Sequence, residues 1–183
     1  MDKTERGKFA EEIALKMFEE AGRKIYRNGI EHTNPDFFVD FQEKKDRGII
    51  IPYDPLIRQL LSKPDFIVEN VDGTYSYLEI KYRSIGHLPD DIAGESLVFY
   101  IRLKKYFKIC RKSWKPHILL VTDEPLDSGR FTVLSDPYLE EFGSTVIMHF
   151  RPLSEFHLWA IPRHIVDKYE KEICMALTPS NNP

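Results

Sequence analysis

The chain has 183 residues, 42% of them hydrophobic and 13% aromatic, which favours one domain over residues 1–177 and leaves 178–183, TPSNNP, as a frayed tail. A net charge of −3 excludes a uniformly basic nucleic-acid-binding domain, and no run approaches the roughly 18 apolar residues needed to span a bilayer. The opening MDKTERGKF lacks the apolar stretch of a secretory signal, so a cytoplasmic protein without membrane contact is expected.

The first predicted element is a helix from about Lys8 to Ala21. Phe9, Ile13, Met17 and Ala21 recur every fourth residue, Ala10, Ala14 and Phe18 stand beside them, and Gly22 is a natural stop. At about 100° per residue, Glu12, Lys16 and Glu19 fall on the polar side, but Glu11 falls between Leu15 and Phe18 on the apolar flank. A boundary carboxylate reaching past Leu15 to water is one explanation of its place. A buried task is the other.

Residues 23 to 62 carry weaker signals. RKIYR is predicted as a short strand, NPDFFVDF as another short apolar run, EKKDRG as a turn, and a short helix follows Pro55. From residue 63 the pattern sharpens: FIVEN is a strand, VDGT a turn centred on Asp72-Gly73, and YSYLEIKYR a second strand, together an antiparallel hairpin. Residues 85 to 96 read as loop, LVFYI as the start of a strand, and RLKKYFKICRKSW as an amphipathic helix. HILLVT is continuously apolar, as in a strand covered on both faces. FTVLSD, TVIMHF and FHLWAI are predicted as further strands, and PRHIVDKYEKEICMAL as a closing helix opened by Pro162. The order implies an α/β domain with a mixed sheet covered by helices. Cys110 and Cys174 are too few and too far apart for a disulfide framework and are expected to be buried thiols.

Strand alternation sends Leu78, Ile80 and Tyr82 to one face and Glu79, Lys81 and Arg83 to the other. A strand with a wet side gives the same pattern. It does not account for Asp65, which follows Pro64 at the start of the partner strand, where a short hairpin brings it near Glu79. Two carboxylates and an ammonium would then converge. Paired carboxylates repel each other but suit Mg²⁺ or Mn²⁺, hard cations that prefer oxygen ligands, and such an ion can activate water against a phosphodiester.

Pro64-Asp65, followed fourteen residues later by Glu79-Ile80-Lys81, resembles the signature of the PD-(D/E)XK nuclease superfamily. The stretch GKFAEEIALKMFEEAG, with Gly7, Glu11 and Gly22, is similar to the opening helix of its Holliday-junction-resolvase-like branch. The likeness covers about residues 7 to 122 and implies a restriction-endonuclease-like mixed β-sheet flanked by helices. It further implies that Asp65, Glu79 and the Ile80 carbonyl bind Mg²⁺ or Mn²⁺, that Glu11 binds or supports the metal, and that Lys81 positions the attacking water. Arg83, on the same face, is either a phosphate contact or a solvated charge. Relatives place auxiliary residues where Lys105 and Tyr106 stand, although Tyr106 flanks the apolar stripe and fits a core.

A second proline-acid pair, Pro35-Asp36, competes with the first. Asp65 is preferred because the hairpin sets it directly against Glu79. From Arg102 to Lys115 the chain carries seven basic residues and no acid, so Lys104, Lys105 and Lys108 are candidate contacts to a nucleic-acid backbone. The six histidines show no metal-ligand spacing. The expected function is a metal-dependent nuclease, with DNA as the substrate and a preference for structure or ends over sequence. A homodimer would supply two sites. The alternative is an inactive nucleic-acid-binding or scaffold module on the same fold.

Overall fold

A computed structural model describes residues 2–49, 55–84, 113–126, 128–134, 139–142, 145–148 and 151–177. Helix α1 (Lys3–Glu20) begins five residues before the predicted start, because Asp2 makes a capping box: its carboxylate accepts from the Thr4 and Glu5 amides, and the Glu5 carboxylate in turn accepts from the Asp2 amide. Its inward stripe is the expected one, with Ala10, Ile13, Ala14, Met17 and Phe18 fully buried. Gly22 ends it at φ +72°, a left-handed position that favours glycine.

Strand β1 (Ile25–Arg27) leads into two short helices, α2 (Ile30–Thr33) and α3 (Pro35–Asp46). The stretch NPDFFVDF is therefore helical and not an extended apolar run, and EKKDRG is mostly the end of that helix. Pro35 at the first helical turn and a stacked Phe37–Phe41 pair four residues apart are helix signals that the bulky residues mask. Helix α4 (Pro55–Leu61) follows its proline as predicted.

Strands β2 (Phe66–Glu69) and β3 (Tyr75–Arg83) form the predicted hairpin, with Gly73 at φ +81° in its turn. They are followed by β4 (His117–Leu126), β5 (Gly129–Leu134), β6 (Leu139–Phe142), β7 (Thr145–Met148) and β8 (Arg151–Pro152), then by helix α5 (Arg163–Leu177). The six-stranded sheet has the order β1-β2-β3-β4-β5-β8, while β6 and β7 pair separately. Only β3 and β4 among the six run parallel. The architecture is thus a mixed α/β fold with helices on its sheet.

Register decides which residues share a face. Phe66 pairs with Leu78, Ile80 with Leu119, and Leu119 with Val133, so these side chains meet on one side. There they join α1 and the Ile165, Val166, Tyr169 and Ile173 stripe of α5 in a single core. Ile118, Leu120 and Leu134, on the opposite face, are buried as well, which accounts for the unbroken apolar run of β4.

Two expectations need correction here. FHLWAI is not a strand: Leu153–Glu155 is a 3₁₀ turn, and the chain coils on through Trp159 to Ala160 at φ +47°. Phe156, Trp159 and Ile161 are buried, at spacings of three and two residues, which no single strand face can deliver. Phe18 and Trp159 pack edge to face at 5.1 Å, and Trp159 donates to the Ser76 hydroxyl at 3.2 Å. Cys174 is exposed rather than buried, because α5 turns Ile173 inward and the next residue rotates about 100° away. Cys110 lies outside the described residues. Among the described residues, no helix is long and apolar enough to cross a membrane.

Candidate active site

The β2–β3 ladder runs Glu69↔Tyr75, Val68↔Ser76, Ile67↔Tyr77 and Phe66↔Leu78. The next rung would pair Asp65 with Glu79. Residues directly opposed on antiparallel strands share a face, so the register alone brings the two carboxyl groups together. The hydrogen bonds follow. The Asp65 amide donates to Glu79 Oε2 at 3.3 Å, and the Ile80 amide donates to Asp65 Oδ2 at 3.2 Å. Since the amide and carbonyl of one strand residue leave on the same side, the Ile80 carbonyl also opens toward Asp65.

Glu79 is only 3% exposed. That figure removes the reading of β3 as a strand with its charges on a wet side, because a lone buried carboxylate is costly and needs a partner. Its partner is Lys81, whose ammonium forms an ion pair with Glu79 Oε1. Burial pulls the Lys81 ammonium toward deprotonation, but the Glu79 and Asp65 carboxylates outweigh it and hold its pKa above the ordinary lysine value. Lys81 is therefore a cation in this site.

Asp65 shows the opposite balance. Burial first, and then the charge of Glu79, push its carboxyl from 3.8 up to about 8, against the opposing pull of Lys81 and of the Ile80 amide. Burial and a neighbouring carboxylate thus favour the protonated form of Asp65 at neutral pH.

Glu11 reaches the same region from α1. It is half-buried, and burial raises its pKa, while Arg27 and Lys81 lower it and Glu31 and Glu79 raise it. Its nearest ion-pair partner is Arg27, Nη1 to Oε2 at 3.9 Å. The Arg27 guanidinium in turn lies over the Phe66 ring, 5.6 Å from its centroid. Glu11 is thus within electrostatic reach of Glu79, Lys81 and Asp65, so its place on the apolar flank is not a simple escape to water.

The other predicted residues divide. Arg83 folds back so that Nη1 donates to the Tyr82 carbonyl at 2.7 Å. Asp36 is exposed in the first turn of α3. Lys104, Lys105, Tyr106 and Lys108 lie outside the described residues. His117, on the core side of β4, stands edge-on to Phe156 and Trp159 at 5.1 and 5.5 Å, and burial lowers its pKa to about 4. It is a half-buried histidine packed against the core aromatics.

Two residues at the site have no sequence signal pointing to it. Arg27 reads as the end of a short polar strand. Asn28 follows the strand predicted for RKIYR with no signal of its own, yet it is buried, and its side-chain amide donates to the Pro64 carbonyl at 3.0 Å across 36 residues.

Among the described residues, no three His, Cys, Asp or Glu side chains are gathered tightly enough to enclose a metal ion as they stand. The donor set nevertheless suits a hard cation. Asp65 and Glu79 provide paired carboxyl oxygens, Ile80 a carbonyl, and Glu11 a further carboxylate, all oxygen ligands of the kind Mg²⁺ and Mn²⁺ prefer. The burial and, after it, the repulsion from Glu79 that raise the Asp65 pKa are what such an ion would offset. Compared with family models, with curated proteins and with solved structures, the chain gave no match.

Proposed function

We propose that this protein is a metal-dependent nuclease of the PD-(D/E)XK type, built on a variant of the restriction-endonuclease-like core. It would hydrolyse nucleic-acid phosphodiesters, with DNA the preferred substrate and strand structure or ends recognised in place of sequence. The observation that carries the reading is the rung beyond the hairpin ladder, where Asp65 faces Glu79 and Glu79 holds Lys81.

Asp65, Glu79, the Ile80 carbonyl and Glu11 would hold a Mg²⁺ or Mn²⁺ ion. Such an ion supplies Lewis acidity at the phosphoryl oxygen and lowers the pKa of bound water. The chain supplies the rest. The Ile80 amide fixes one oxygen of Asp65, and Glu79 keeps the Lys81 ammonium protonated and in place. From there the ammonium orients the attacking water and offsets charge developing on the phosphate. Arg27 and Arg83 would meet neighbouring phosphates by swinging away from Glu11 and from the Tyr82 carbonyl, and a homodimer would bring two sites to a duplex or branch.

The test is cleavage of linear, nicked, single-stranded and branched DNA by purified protein with Mn²⁺. Asp65→Ala and Lys81→Ala are each expected to reduce the rate by about 10²-fold or more, and Asp36→Ala to leave it within about twofold. Equal cleavage by wild type and Lys81→Ala removes Lys81 from the mechanism. No cleavage of any substrate by wild type leaves a binding or scaffold module.

A further inference from the structure

We propose that Asn28 is a positioning residue that sets the Asp65 carboxylate against β3 by clamping the Pro64–Asp65 backbone. The inference rests on Asp65 being a working residue of the site proposed above, but its geometry stands independently.

The β1–β2 ladder ends at Arg27↔Phe66, so the next rung pairs Asn28 with Asp65. At that rung the chain concentrates donors. The Asn28 amide donates to the Asp65 carbonyl at 2.7 Å, and the Gly29 amide donates to the same carbonyl at 3.2 Å. The Asn28 side chain adds its own bond to the Pro64 carbonyl. Two successive carbonyls are thereby fixed from the β1 side, while Glu79 takes the Asp65 amide from the β3 side. Proline at 64 limits the backbone further through its fixed φ. With its main chain held from both neighbouring strands, Asp65 keeps little freedom beyond its own χ angles, and one oxygen rests on the Ile80 amide.

Asparagine suits this place. Its amide NH₂ donates to a carbonyl, which aspartate cannot do, and serine is too short to reach across. A buried side-chain amide needs such a bond, because an unsatisfied polar group in the interior costs about 1–3 kcal/mol. The position has a built-in comparison at the other end of β2. Asn70 is buried to the same degree, 6% exposed, and its side-chain amide donates to Thr74 Oγ1 at 3.0 Å. Both asparagines brace the same hairpin, but only Asn28 touches the Asp65 end.

The experiment compares Asn28→Ala, Asn28→Ser and Asn70→Ala by amide hydrogen exchange in metal-free protein, followed by Mn²⁺ titration calorimetry. Exchange at the Ile80 amide reports whether the Asp65 oxygen still sits on it. Either Asn28 variant is expected to speed that exchange at least tenfold and to weaken Mn²⁺ binding by a similar factor. Asn70→Ala is expected to change both by less than twofold. If Asn28→Ala does not fold, Asn28→Ser, which removes the bond but keeps a small polar side chain, is read in its place. Unchanged Ile80 exchange in the folded Asn28 variant overturns the proposal, as does equal acceleration by Asn70→Ala, which would mark general loosening of the hairpin. Absence of Mn²⁺ binding by wild type would instead count against the nuclease reading, and the exchange result would still decide the role of Asn28.

Discussion

Among the described residues, Asp65 and His117 are the two side chains whose protonation the fold moves furthest, and they act in opposite directions. The Asp65 carboxyl has an ordinary value of 3.8 and a folded value of about 8. Between those values the folded chain holds a proton that the unfolded chain has released, so its contribution to stability is full below 3.8 and is lost as pH rises through 8. Melting of metal-free protein is expected to show this decline between pH 6.5 and 8, and Asp65→Asn to flatten it there. Mg²⁺ or Mn²⁺ binding is expected to tighten over the same rise in pH, because the ion must displace that proton. His117 falls from 6.5 to about 4; its contribution is full above 6.5 and disappears as pH falls through 4. His117→Phe is expected to remove that acid limb in the same melting series. Since the two slopes oppose each other between pH 4 and 6.5, the wild-type curve there is expected to be flatter than that of either variant.

At the scale of elements, strands β2, β3 and β4 and helices α1 and α5 are legible in the sequence because each carries a pattern that tertiary packing reinforces. Alternation in YSYLEIKYR, a spacing of four in the first helix and an unbroken apolar run in HILLVT each describe a surface that is in fact packed. What the pattern does not supply is burial. Glu79 on a strand flank looks the same whether the flank is wet or covered, and only the structure separates the two. Helix α3 escapes such a reading because its aromatic and β-branched residues suggest extended chain, whereas Pro35 and the Phe37–Phe41 spacing favour helix. The coil through FHLWAI escapes it because its apolar residues are placed by long-range partners, Ser76 for Trp159 among them. Trp159 and Phe18, both fully buried, hold that coil against α1. Trp159→Ala is expected to cost about 3–5 kcal/mol in denaturant unfolding, more than any single change among the exposed residues of α3.

For the molecule as a whole, the proposed nuclease reading would make nucleic-acid binding by this acidic chain depend on a few phosphate contacts from its basic segment. Replacing Lys104, Lys105 and Lys108 together with alanine is expected to lower the slope of log affinity against log salt by roughly 0.9 for each duplex phosphate that is no longer neutralised, measured by DNA titration at several salt concentrations. The segment's place in the sequence is legible, as is the pairing of an acid with the Glu79-Ile80-Lys81 strand. The clamp from Asn28 is not, since its partner lies 36 residues away. The hairpin turn at Asn70–Thr74 has a consequence of its own. It lies five residues from Asp65, about 17 Å along the strand, yet it determines which residue of β3 stands across from that acid. One residue inserted there and absorbed by slippage of the ladder would set Asp65 against a different neighbour and carry it away from Glu79. Residues 71–74 of the turn are exposed, yet the turn works as the gauge block of the Asp65–Glu79 spacing, so its length is expected to be far less free than its sequence.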